Sequence, residues 1–165
     1  MLVYLKRIGL FIGLILVQVL ILNNIHVYGY ATPFLYIYFI FIYNSGVGRN
    51  VLLLWAFSLG LTIDIFTNTP GINAASATFI SFVRNPVLNS FTLHEDNESF
   101  YPGIASMGFM SFFKYVFVMS FAFCTFLLLI DSFSFFNPAQ LLLKIISDTI
   151  VTVICILCVD AVWRR

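Results

Sequence analysis

Six apolar runs, nearly free of charge and separated by short polar breaks, dictate the solvent in which this chain can fold. They are Ile8–Leu22, Pro33–Tyr43, Val51–Phe66, Ile72–Val83, Ser111–Ile130 and Pro138–Val162. A bilayer core takes about 20 helical residues to cross, so six spans would consume most of the 165 residues. Composition agrees. Hydrophobic residues make up 61% of the chain and charged residues 9%, against about 45–50% and about 25% in soluble domains. Eight basic and seven acidic side chains could not cover the surface of a water-soluble globule of this size. High hydrophobicity excludes disorder, three Cys in apolar runs exclude a disulfide scaffold, and a net charge of +1 gives no footprint for nucleic acid.

The fold expected is therefore an all-α integral membrane protein, one multi-pass domain with six transmembrane helices at about 4–22, 29–43, 51–66, 71–87, 108–130 and 139–162. The first run follows Lys6 and Arg7 as a signal peptide would, but no small-residue cleavage site follows it, so it reads as a retained span. Pro33 suits the first turn of the second span. Thr67-Asn68-Thr69-Pro70-Gly71 breaks the third from the fourth, with Gly71 free to supply the positive φ of a sharp turn. The fourth run is rich in small residues (Ala74, Ala75, Ser76, Ala77, Thr78 and Ser81), which permit close helix approach and mark an interior helix. Arg84–Gly103 is the long polar segment and carries the acidic patch His94–Glu98, read as a solvated loop or a docking site for a basic partner. With both termini cytoplasmic, Lys6, Arg7, Arg49, Arg84, Arg164 and Arg165 lie inside, and the outer loops hold no Lys or Arg, as the positive-inside rule requires. Lys114 can snorkel to the same side, and Lys144 is the exception. The break after the third span divides the chain 3+3, a pattern of several transporter folds.

Ionisable groups inside a span need a reason, because a charge at mid-depth costs at least ~2.5–3.5 kcal/mol. Asp64 reads as an acceptor for the broken segment or for the amides opening the fourth helix, with a ligand or proton site as the alternative. Lys144 and Asp148, four residues apart, read as an intramembrane ion pair, with a transport site as the alternative. Asp160 falls near the cytoplasmic interface and needs no special role. Gln18, deep in the first span, reads as an interhelical hydrogen-bonding group. Cys155 and Cys158 spell C-x-x-C in an apolar helix and, like Cys124, read as packing residues. His26 and His94 stand in separate loops and suggest no metal site. No motif of a nucleophile, a metal-binding helix or a phosphate loop occurs, so no enzyme and no cofactor is expected.

The stretch Gly60-Leu61-Thr62-Ile63-Asp64, followed by Thr69-Pro70-Gly71-Ile72-Asn73-Ala74, resembles the signature of the rod shape-determining MreD family. Chain length, Gln18 in the first span and Pro33 opening the second add to the resemblance. It implies a non-enzymatic scaffold in the bacterial cytoplasmic membrane, with Gly60, Asp64, Pro70, Gly71, Asn73, Ala74 and Gln18 as its structural motif. It also implies partners: an MreC-like bitopic protein, a RodA-like glycan polymerase with its transpeptidase, and the MreB filament. The rival expectation is a substrate-binding subunit of a vitamin uptake transporter, a six-helix fold that MreD is thought to resemble, with Gln18, Asp64 and Asn73 lining a ligand pocket.

Overall fold

The computed structural model describes residues 2–24, 32–92, 100–132 and 138–163, and no strand occurs among the described residues. The patch His94–Glu98, His26 and the terminal Arg164 and Arg165 lie outside them. Helix α1 covers Leu2–Leu20 and is followed by a 3-10 turn at Leu22–Asn24. A 3-10 turn at Leu35–Ile37 runs into α2, Tyr38–Phe41. The longer helices are α3 (Arg49–Thr67), α4 (Ile72–Phe91), α6 (Phe109–Asp131) and α7 (Pro138–Trp163), with a single turn, α5, at Ile104–Met107. Three of them, α3, α6 and residues Ala139–Val162 of α7, are long and apolar enough to cross a membrane. Leu54, Ile65 and Leu143 stand 67%, 72% and 66% exposed on these helices. Large apolar side chains spread over every long helix suit hydrocarbon and not water. The fold is that of a helical membrane protein.

Helix α4 lies between α3 and α6, α6 packs in turn on α7, and α1 rests on α3. The α3–α4 connection is a tight hairpin turn. Asn68 closes α3 in the left-handed conformation (φ 55, ψ 37). Gly71 follows at φ 81, ψ −1, the geometry a type II turn asks of the residue after Pro70. The small face of α4 is buried as its composition demands: Ala74, Ser76, Ala77 and Ser81 all face inward.

Two stretches depart from the sequence expectation. Residues 29–43, expected as the second span, do not form one long helix. From Thr32 the chain is non-helical until Leu35, and helical structure ends at Phe41. Those ten residues advance about 20 Å, short of the ~30 Å hydrocarbon thickness. Tyr36, Ile37, Ile40 and Phe41 are wholly inaccessible. The aromatic side chains of this stretch form the centre of the molecule. Phe39 meets Phe11 edge-on at 5.5 Å, Tyr36 meets Phe123 at 5.8 Å and Phe41 meets Tyr115 at 5.7 Å.

The second departure is Arg84, expected in a polar cytoplasmic loop. Helix α4 continues past it, through Pro86, to Phe91, and leaves Arg84 1% exposed. Pro86 has no N–H to offer the Phe82 carbonyl four residues back. Arg49 fills the vacancy: its Nη2 donates to the Phe82 oxygen at 3.5 Å and its guanidinium lies 3.6 Å from the Phe82 ring centre.

Candidate functional site

A backbone that leaves the helix inside a membrane protein must find hydrogen-bond partners in the protein, because lipid supplies none. The segment 32–43 finds them in side chains from the surrounding helices. At its start, Thr32 N donates to Asp148 Oδ1 at 2.9 Å and Phe34 N to Thr152 Oγ1 at 3.1 Å. Gln18 bridges the next peptide on both sides. Its Nε2 donates to the Pro33 carbonyl at 2.9 Å and its Oε1 accepts from Leu35 N at 2.9 Å. One primary amide thus does for Pro33 and Leu35 what a neighbouring strand would do.

At the other end, carbonyls left over by the short helix are met by charge and hydroxyl. Arg84 Nη2 donates to the carbonyls of Phe41 and Tyr43, and Tyr115 Oη donates to Phe41 at 3.3 Å. The tyrosines between are tied sideways. Tyr36 Oη donates to Asn73 Oδ1 and Tyr38 Oη to Asp160 Oδ1, both at 2.8 Å. Asp160, expected at an interface, is 1% exposed. Its second oxygen accepts from Ile104 N, the first amide of α5, at 3.0 Å.

Arg84 is the strongest single clamp on the segment. Replacement by Leu is expected to abolish monodisperse protein in size-exclusion chromatography after mild detergent extraction. Arg84→Lys should reduce the yield several-fold, since an ammonium supplies no planar fork and a lost charged hydrogen bond costs about 1.5–3 kcal/mol.

The second feature is the corner between α3 and α4. Asp64 is buried and accepts at both oxygens: Oδ1 from Asn73 N (3.0 Å), Asn73 Nδ2 (2.9 Å) and Thr69 Oγ1 (2.9 Å), and Oδ2 from Ala74 N (2.9 Å). Asp64, expected to serve the broken segment or the start of the fourth helix, serves both. The free amides and positive end of α4 favour its carboxylate. One turn earlier, Gly60 lets α4 come close. A Cβ there would stand 2.5 Å from both Ala74 Cα and the Asn73 oxygen. Tyr36 joins this corner to the buried segment through Asn73.

Lys144 and Asp148, expected as an ion pair, attract each other through space, but no hydrogen bond joins them. Asp148 spends Oδ1 on Thr32, and its Oδ2 has no hydrogen-bond partner. Both residues instead line a cavity of about 420 Å³, together with Gln18, Tyr36, Asn73 and Asp131.

Thr152, Tyr36, Tyr38, Tyr115, Arg84 and Asp160 are the members of this frame that sequence reasoning missed. One signal was available for α7. Lys144, Asp148 and Thr152 recur on a spacing of four, so they lie along one helix face. That face is turned to the segment or to the cavity.

Among the described residues no group of three or more His, Cys, Asp or Glu could hold a metal ion. Cys124, Cys155 and Cys158 are free thiols, buried, half-buried and exposed in turn. The fold and the frame define a helical membrane protein whose intramembrane polar groups mostly serve to hold its own interior. Comparison with protein-family models, curated proteins and solved structures gives no match to this chain.

Proposed function

We propose that the protein is an MreD-like, non-enzymatic scaffold of the bacterial cell-elongation machinery, crossing the cytoplasmic membrane six times with both termini inside. On this reading segment 32–43 is the buried part of the second crossing, walled by protein so that it needs no lipid-facing helix. The scaffold couples an MreC-like bitopic protein, and through it the MreB filament, to a RodA-like polymerase and its transpeptidase. It so directs lateral wall synthesis.

The observation that supports the reading is the α3–α4 corner. Gly60, Asp64, Pro70, Gly71, Asn73 and Ala74, which carry most of the family resemblance, share one corner: Asp64 bonds Asn73 and Ala74, Gly60 packs against Ala74, and Tyr36 ties Asn73 to the centre of the fold. Such a unit fixes the angle between two helices and so the shape that a partner meets. The small face of α4 is occupied internally, Ala74 against Gly60, so partners dock on the outer faces of the bundle.

Two measurements test this. Cysteine labelling from the outside should reach Asn68 and should not reach Asn97, and labelling of Asn97 from outside would sink the six-crossing topology. Affinity-tagged protein extracted from membranes of its own cell should bring down an MreC-like bitopic protein in stoichiometric amount. Recovery without any bitopic wall-synthesis component would contradict the proposal.

A further inference from the structure

The cavity of about 420 Å³ has the size of a small-molecule site, and its chemistry is two-signed. Asp148 is 0% exposed, and while Oδ1 accepts from Thr32 N at 2.9 Å, Oδ2 has no hydrogen-bond partner. Lys144, one turn earlier on α7, lines the same cavity and attracts the Asp148 carboxylate through space without donating a hydrogen bond to Oδ2. A carboxylate oxygen without a donor is costly away from water. Four residues apart on a helix, the two groups could close on each other, yet no hydrogen bond joins them and both line the cavity.

The neighbouring polar groups are already committed. Gln18 holds Pro33 and Leu35, Tyr36 donates to Asn73, and Asn73 donates to Asp64. Phe34 and Leu127 supply apolar wall. Asp131, a further charged group of the lining, is exposed and open to solvation. What the cavity lacks is a donor for a buried carboxylate oxygen and an acceptor for an ammonium, a few ångströms apart.

We propose that this cavity binds a small zwitterion of the amino-acid type. Its ammonium donates to Asp148 Oδ2, its carboxylate accepts from Lys144, and its side chain lies against Phe34 and Leu127. A monovalent amine would leave Lys144 unpaired, and a simple carboxylate would leave Asp148 so. The inference rests on the cavity alone and is independent of the scaffold proposal.

The test uses purified full-length protein in detergent and a panel of free L-amino acids, read by thermal unfolding and by calorimetric titration. At least one apolar amino acid should raise Tm by roughly 5–10 °C at a hundredfold excess over its Kd. Asp148→Asn retains a carbonyl for Thr32 N and should fold, but presents a donor where Oδ2 stood. Lys144→Met retains length without charge. Each should weaken binding roughly 30-fold or more, and the matching amine without a carboxylate should bind wild type no better than the amino acid binds Lys144→Met. Ligand-free Lys144→Met should unfold close to the wild-type temperature, since it loses a through-space attraction to Asp148 and no hydrogen bond. The proposal is overturned by any of three results: no amino acid shifts the wild type, the shift survives in both variants, or ligand-free Lys144→Met is destabilised as strongly as the loss of a buried direct ion pair requires, which would mean that the two groups already satisfy each other.

Discussion

Gly60→Val should eliminate the folded protein from the membrane. Even the first added carbon would stand 2.5 Å from Ala74 Cα and from the Asn73 oxygen. Both are backbone atoms of the first turn of α4, so no side chain can rotate out of the way. Relief would require α4 to move off α3, the most extensive helix pairing in the molecule. That movement would also pull Asn73 and Ala74 from Asp64 and Asn73 from Tyr36. Overpacking alone costs about 1–3 kcal/mol. Here it is joined by the loss of buried hydrogen bonds at about 1–3 kcal/mol for each donor left unmet. Gly60→Ala is expected to cut the yield severely, and Gly13→Ala, with open space around the added carbon, to leave it near wild type. Fluorescence-detected size-exclusion of the three variants checks the order. Equal yields would show that α3 and α4 do not approach as described.

Asp64→Leu should be nearly as damaging, and Asp64→Asn clearly milder. Leucine leaves the amides of Asn73 and Ala74, the Asn73 side chain and the Thr69 hydroxyl without their acceptor. Asparagine of the same shape keeps one oxygen, which can remain with the three donors gathered at Oδ1. Its amide nitrogen then faces Ala74 N, donor against donor, so the variant loses one bond and gains one repulsion. It should retain measurable folded protein and partial function at reduced membrane level. If the two variants accumulate normally and both are inactive, the charge of Asp64 itself carries the function, and its structural assignment is wrong.

Most of the helical outline was legible in the sequence because lipid imposes it. Runs of apolar residues bounded by Asn, Pro and Gly mark α1, α3, α4, α6 and α7 within a few residues. The turn at Pro70-Gly71 and the bonding of Asp64 to the next helix followed from local rules, since every group involved lies within ten residues. Segment 32–43 was not legible. Its apolar character is that of a span, and what makes it a buried core instead is supplied from far along the chain: Gln18 before it, Arg84, Asp148 and Asp160 long after. Each of those polar residues invited its own local explanation, an interfacial charge for Asp160, a loop cation for Arg84, an i to i+4 pair for Asp148. Only the tertiary fold reveals that Gln18, Arg84 and Asp148 answer one unsatisfied stretch of backbone, while Asp160 holds the Tyr38 hydroxyl within it.

The functional account stands or falls on cell shape. Depletion of this protein from the cell that encodes it, followed by microscopy over several generations, is the most direct measurement. The scaffold reading predicts that cells widen and round before growth stops. Wild-type protein supplied in trans should restore rods, Asp64→Asn should restore them in part, and Gly60→Val not at all. Cells that remain rods of normal width after the protein is gone would contradict it.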